Sequence, residues 1–311
     1  MDALQPLQGK WMSSFQKPTT RFRALLARRQ ITMIPSVGDA FSARLIAHEG
    51  FEALMSSGNA TSAMKLGMPD VGVMTLRENA DNAGQMAAAS GLPVFADADT
   101  GYGNALNVRR TIMEFERAGV AAVMIEDQVS PKRCGMLAGK SVIPSAEMEG
   151  KVKAALDARS DDDFVICART DARAVEGLAA ALRRAQAYQK AGADVIFVEG
   201  PRTIEEAREI AANIDIPLLY NITPTGSVPA LDVATLESIG FRLLSCSVYM
   251  LLAALPSMQN FLRVLKATGD VAKAGAGAAS MKDYLEILRL DDWQSREALF
   301  SPPASSGDQK T

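Results

Sequence analysis

An α/β chain folded as a (β/α)8 TIM barrel is what this sequence predicts, on three observations. Short apolar runs of strand length recur eight times. Ala-rich amphipathic stretches of helix length separate them. Several of these stretches stop on a glycine just before the next run, as in Phe115-Glu-Arg-Ala-Gly119, Gln189-Lys-Ala-Gly192 and Glu237-Ser-Ile-Gly240. Glycine past the last turn is the expected helix stop. Strands that alternate with helices lie parallel and are joined by right-handed crossovers. Eight such units match one closed barrel. A doubly wound sheet is the other arrangement this rhythm permits, but residues 94–103 lack the GxGxxG that would open its first helix.

Taken in order, residues 1–30 read as an arm containing Pro6 and Pro18, followed by a helix over 21–30. The barrel spans 31–268. Its strands are expected at 33–37, 53–56, 94–96, 121–125, 164–168, 195–198, 218–220 and 243–246. Its helices are expected near 39–50, 75–90, 105–118, 145–159, 174–191, 203–213, 230–239 and 248–268. Residues 269–300 hold an Ala/Gly-rich linker, 271–280, and one extra helix, 281–300. The apolar residues of that helix, Trp293 and Leu299 among them, need a partner surface, which we assign to a neighbouring subunit. Residues 301–311 are polar, contain Pro302 and Pro303, and read as a disordered tail.

The 311 residues are 48% hydrophobic and 22% charged, with a net charge of −3, which is an ordinary globular balance. No basic block points to nucleic acid as a partner. The four arginines within 21–29 sit among apolar residues, as on a solvated helix. No apolar run approaches the ~18 residues that would span a membrane, and 1–17 has no signal-peptide core. Cys134, Cys167 and Cys246 are odd in number and form no CxxC pair, so they read as reduced thiols in a cytoplasmic protein. The single histidine, His48, supports neither a zinc site nor a Ser-His-Asp triad.

In such a barrel the chemistry sits at the C-terminal ends of the strands. The second strand is followed by Ser57-Gly58-Asn59, the third by Asp97 and Asp99, the fourth by Glu126 and Asp127. The fifth is followed by Arg169, Thr170 and Asp171, the sixth by Glu199, the seventh by Asn221 and Thr223, and the eighth by Ser247. Asp97 and Asp99 alone are equally well read as a strand end that faces water or caps a helix. A ring of such groups around one mouth is poorly explained by solvation. Acids from the third, fourth and sixth strands can hold one hard divalent cation. Arg169 can clamp a substrate carboxylate through two hydrogen bonds, and the Ser57–Asn59 turn can offer backbone N–H groups to another.

The segment 128–142, QVSPKRCGMLAGKSV, has the length and composition of a mobile lid. Lys132 and Arg133 beside Cys134 are expected to favour its thiolate. A lid that closes such a cysteine over a metal-bound acid suits proton transfer at carbon. The alternative is a surface loop with an incidental thiol. Cys167 and Cys246 lie inside apolar strands and read as packing residues.

These segments resemble the isocitrate lyase / phosphoenolpyruvate mutase superfamily from about Ile34 to near Phe300. The resemblance rests on Ser56-Ser57-Gly58, Pro69-Asp70, Asp97-Ala-Asp99-Thr-Gly-Tyr-Gly103, Ile125-Glu126-Asp127-Gln128, Lys132-Arg133-Cys134-Gly135, Ala168-Arg169-Thr170-Asp171 and Asn221-Ile222-Thr223. It implies a (β/α)8 barrel, Mg²⁺ (with Mn²⁺ as a substitute), an extra C-terminal helix swapped between subunits, and a homotetramer built as a dimer of dimers. It also implies Asp99 as the direct metal ligand, with Asp97 and Glu126 acting largely through water. Ser57 and Gly58 would bind the oxo-acid carboxylate, and Asp70 would line the site. Arg169 would bind substrate, while Glu199 and Asn221 lie deeper in the pocket. Cys134 matches the catalytic cysteine of the carbon–carbon lyases, carried on the motif that also supplies Lys132 and Arg133 to the catalytic set.

Within the superfamily, 240–247 resembles the group of 2,3-dimethylmalate lyase, the petal-death protein and oxaloacetate hydrolase, with similarity to methylisocitrate lyase as well. Ser247 stands where methylisocitrate lyases carry proline, and its hydroxyl can bond a substrate oxygen. Met136 departs from the family's Cys-Gly-His and removes a donor beside the acid, which points to a changed substrate. The resemblance therefore implies a Mg²⁺-dependent lyase cleaving a small 2-hydroxy dicarboxylate of the alkylmalate or methylisocitrate type into a 2-oxo acid and a carboxylate. The alternatives are oxaloacetate hydrolysis to oxalate and acetate, a phosphonate enzyme, and a barrel that binds a dicarboxylate without turning it over.

Overall fold

In the computed structural model, which describes residues 16–301, eight parallel strands line up in the order β6-β5-β4-β3-β2-β1-β8-β7. They are β1 Thr32–Val37, β2 Leu54–Ser56, β3 Val94–Asp97, β4 Ala122–Glu126, β5 Val165–Thr170, β6 Val195–Val198, β7 Leu219–Ile222 and β8 Leu243–Cys246. A parallel bridge between Ile196 and Leu218 brings β6 to β7, so the sheet closes on itself. The result is the (β/α)8 barrel the rhythm predicts.

Side chains alternate across a strand, and that period sorts each strand into two faces. Ile34, Met55, Phe95, Met124, Cys167, Phe197 and Leu219 belong to one buried cluster, the barrel interior. Leu54, Ala96, Val123, Ile166, Ile196 and Tyr220 belong to a second, between strands and helices. Both faces are buried, as in parallel sheets covered by helices. The helix Pro18–Leu26 contributes Phe22, Leu25 and Leu26 to the interior cluster, with the Phe22 and Phe95 rings 5.9 Å apart.

The chain divides into two compact units after Ala253. The helix Tyr249–Thr268 crosses that division, and the second unit continues through Val271–Ala274, Met281–Leu288 and Leu290–Phe300.

Four expectations change. The helix placed at 21–30 runs from Pro18 to Leu26, because proline suits the first helical turn. The helix expected over 174–191 is two, Ala172–Val175 and Leu178–Ala191, parted at Gly177 with φ 90°. The linker 271–280 contains a short helix whose N-terminus Asp270 caps. The extra helix 281–300 is likewise two. Its break is Arg289, at φ 59° and ψ 45°, whose N–H turns back to the carbonyls of Leu285 and Glu286, while Asp291 and Asp292 supply the acidic first turn of the second helix. The proposed arm at 1–15 and the tail beyond Ser301 lie outside the described residues. Among the described residues, no helix is long and apolar enough to cross a membrane.

Candidate active site

Continuing the inward face of each strand by two residues builds the site. Ser57 follows Met55, Asp97 follows Phe95, Glu126 follows Met124, Arg169 follows Cys167, Glu199 follows Phe197 and Asn221 follows Leu219. Ser57, Asp97, Arg169, Glu199 and Asn221 line one narrow pocket of about 30 Å³, together with Asn59, Asp70, Cys134, Gly135, Met136 and Ser247. Met55, Met124, Phe197 and Leu219 form its apolar wall, a feature that reading the strand ends for polar groups passes over.

Asp97 and Asp99 meet at the end of β3. Asp99 takes φ 48°, a left-handed backbone that Asp tolerates better than most residues, and its N–H donates to Asp97 Oδ1 at 3.1 Å. Gly58 closes over the pair. A Cβ there would stand 2.7 Å from Asp97 Oδ2, so only glycine fits. Burial drives the Asp99 carboxyl up to about 6, with the Lys132 ammonium opposing. Glu126 is buried and held well above the usual carboxylate range by desolvation, against the pull of Arg169. Neither of its oxygens has a hydrogen-bond partner, and Arg169 Nη1 stands 3.3 Å from Oε2.

These acids suit a hard divalent cation, and the orphaned Glu126 oxygens leave lone pairs for water on such an ion. Among the described residues, no three His, Cys, Asp or Glu side chains converge closely enough to hold a metal directly. Asp97, Asp99 and Glu126 therefore form no preformed three-acid cage.

Arg169 sits in a box of acids. Its Nε and Nη2 donate to the two oxygens of Asp171 at 2.9 and 3.0 Å, and Nη2 lies 3.4 Å from Glu199. Its face lies over Phe197, 5.4 Å from the ring centroid. Asp171 thus takes the Nε/Nη2 side of the guanidinium, and the Nη1/Nη2 edge is what remains for a two-bond clamp on a ligand. Asp127 turns outward and is committed, accepting from Thr170 Oγ1, Asp171 N–H and Tyr188 O–H.

The Ser57–Asn59 turn also differs from expectation. Ser57 N–H donates to Val37 O at 3.0 Å, and Gly58 N–H reaches Asp97 Oδ2 at 3.3 Å. Ser57 Oγ accepts from Ala60 N–H, capping the short helix Gly58–Thr61. The Ser57 amide is thus not available to a substrate carboxylate.

Residues 128–142 arch over the pocket. Gln128 and Val142 form an antiparallel bridge at the base, and the Gln128 amide bonds both the N–H and the carbonyl of Arg133 at 2.9 Å. Lys132 is buried, with Nζ 2.6 Å from Asp70 Oδ1 and 2.8 Å from Asp99 Oδ1. Arg133 is exposed on the outside of the lid and does not join the pocket. Gly135 packs so tightly that a Cβ would stand 2.6 Å from Arg169 Nη2 and 2.8 Å from the Glu199 carboxyl carbon.

Cys134 is buried among these groups, with Asn59 Nδ2 3.3 Å from Sγ. Burial pushes its thiol up from the ordinary range, outweighing the Met136 N–H and Asn59 amide that favour the thiolate. This reverses the expected thiolate, because Lys132 spends its charge on Asp70 and Asp99 and Arg133 faces outward. Cys167 is fully buried in the barrel interior and Cys246 half-buried, as packing residues. On the far wall, Ser247 N–H and Oγ–H both donate to Asn221 Oδ1, at 3.2 and 2.9 Å. Asn221 Nδ2 is thereby left as the donor of that pair, and Ser247 Oγ as an acceptor.

Comparison with known proteins gives consistent matches. The sequence model of the family described as phosphoenolpyruvate phosphomutase matches residues 22–266. The chain is 39% identical over 271 residues to 2,3-dimethylmalate lyase of Eubacterium barkeri, covering 87% of this chain and 94% of that protein. It is 39% identical to 2-methylisocitrate lyase of Aeropyrum pernix, covering 93% of each. Among solved structures, oxaloacetate acetylhydrolase with 3,3-difluorooxalacetate superposes with a TM-score of 0.87 at 33% identity, over 93% of this chain and 99% of that one. Phosphonopyruvate hydrolase with oxalate and Mg²⁺ superposes with a TM-score of 0.82 at 27% identity, over 92% and 99%.

Proposed function

Because the chain belongs to the phosphoenolpyruvate phosphomutase family and matches carbon–carbon lyases over most of its length, we propose that it cleaves a small 2-hydroxy dicarboxylate of the alkylmalate or methylisocitrate type. The products are a 2-oxo acid such as pyruvate and a second carboxylate. The observation that carries this reading is the placement of the buried Cys134 thiol in a pocket of carboxylates and one arginine, where burial raises it in favour of its protonated form.

Asp99 directly, with Asp97 and Glu126 through water, would hold Mg²⁺, which would supply an electrophile favouring negative charge on the 2-oxo oxygen. The chain's own groups do the rest. Asn221 Nδ2 and the Nη edge of Arg169 orient the carboxylates. As the carbon–carbon bond breaks, the 2-hydroxyl passes its proton to one of the pocket carboxylates, Asp70, Asp97 or Glu199, and becomes a carbonyl, and the bonding pair goes to the departing carbon. Cys134 gives its proton to that carbon, and the resulting thiolate rests against Asn59 Nδ2 and the Met136 N–H. Met55, Met124, Phe197, Leu219 and Met136 take up alkyl substituents and keep water from the carbanion. Lys132 neutralises the acids beneath the lid.

A second reading, oxaloacetate hydrolysis to oxalate and acetate, is favoured by Ser247 Oγ in the pocket wall, an acceptor able to bond a hydrated carbonyl. We also propose a homo-oligomer, since Met281, Trp293 and Phe300 of the last two helices are 67%, 65% and 85% exposed and call for apolar cover.

Cys134→Ser tests the acid assignment. Turnover is expected to fall at least about a hundredfold while oxalate still binds by calorimetry. Full lyase activity in this variant would remove Cys134 from the mechanism.

A further inference from the structure

Lys140 lies near the end of the lid, outside the catalytic set argued above. Its side chain is only 5% exposed, and its ammonium makes two contacts at once. It donates to Gly135 O at 2.8 Å, within the arch that covers Arg169, and to Asp171 Oδ1, also at 2.8 Å. Asp171 is the residue whose carboxylate receives the Arg169 fork. One buried cation thus ties the top of the lid to the carboxylate that aims the substrate arginine.

We propose that Lys140 is a positioning residue that latches the lid and balances the charge around Arg169 when the lid is shut. The inference rests on the proposed reading of the pocket as a dicarboxylate site. The charges explain why a cation is needed there. Asp171 draws on the Arg169 charge through two hydrogen bonds, while burial raises the neighbouring Glu126 and Glu199 toward their neutral forms, so Asp171 is the charge that competes with an anionic ligand. Lys140 offsets that charge, and the same ammonium holds Gly135 O over Arg169. Burial would raise the Asp171 carboxyl; Arg169 and Lys140 together bring it down to about 2, so it stays an anion able to hold both cations.

The test compares wild type with Lys140→Met, which keeps the length of the side chain without the charge, and Lys140→Arg, which restores the charge. The first readout is amide hydrogen exchange without substrate at Cys134, whose N–H bonds Asp70 O, and at Leu137, whose N–H bonds Cys134 O. A charged hydrogen bond lost from a buried site is worth about tenfold or more. Exchange at both amides is therefore expected to speed up about tenfold in Lys140→Met, and Lys140→Arg to recover most of the protection. With a turned-over substrate, KM is expected to rise more than kcat falls. Unchanged exchange in a folded Lys140→Met protein would overturn the latch. Because exchange is measured on the free protein, it decides the latch even if every candidate substrate fails, and such failure would count only against the lyase reading.

Discussion

Lys132 Nζ lies 2.8 Å from Asp99 Oδ1, so a lid residue presents its positive charge to the carboxylate assigned as the direct metal ligand. Asp70 holds the same ammonium from the other side at 2.6 Å. All three groups are buried, and removing one partner of a buried pair leaves the others without compensation.

Lys132→Met is therefore expected to lower the unfolding free energy by about 3 kcal/mol in the presence of EDTA. Millimolar Mg²⁺ should return part of that loss, because a divalent cation at Asp99 supplies the missing charge. Urea unfolding with and without Mg²⁺ checks both statements. An identical loss in the two conditions would mean that the ion does not engage this acid.

Cys134 has a second consequence. A thiol whose folded-state pKa is raised keeps its proton to higher pH than a free one, so the acid-competent form persists through neutrality and is lost only as pH rises past the ordinary thiol range. Alkylation by iodoacetamide should accordingly be slow at pH 7.5 and climb with a midpoint above that of a free thiol, and the alkaline limb of kcat/KM should follow it. Rapid alkylation at neutral pH would restore the thiolate that Lys132 and Arg133 were expected to produce.

Gly135 offers a steric test. Gly135→Ala puts a methyl group 2.6 Å from Arg169 Nη2, so the lid and the arginine cannot both keep their places. A displacement of this size near the reacting atoms is expected to cost about a hundredfold in kcat/KM, with the thermal midpoint of the barrel little changed. Wild-type kinetics in this variant would show that the lid does not close in this way during turnover.

The barrel and much of its mouth could be read directly from the chain, because both follow local periods. Asp97, Arg169, Glu199 and Asn221 each stand two places beyond an inward apolar residue, and the strand period carries them into the pocket, while Glu126, two places beyond Met124, is buried against Arg169. What the chain could not disclose are pairings between distant segments. Lys132 and Arg133 look alike beside Cys134, yet one is buried against Asp70 and Asp99 and the other is exposed. Arg169 looked free on every side because Asp171, two residues on, gave no local sign that its carboxylate turns back onto the guanidinium. Lys140 counted only as one more lid cation, since its partners are Gly135 O and a carboxylate 31 residues away. The break at Arg289 was hidden for a different reason, as the sequence carries no glycine or proline to mark it.

The most direct measurement is a product screen by mass spectrometry with purified protein, with and without Mg²⁺, offering 2,3-dimethylmalate, 2-methylisocitrate, oxaloacetate and phosphonopyruvate in parallel. The proposed function predicts Mg²⁺-dependent release of pyruvate and a second carboxylate from one of the two hydroxy acids. Oxalate from oxaloacetate alone, or pyruvate from phosphonopyruvate alone, would contradict it.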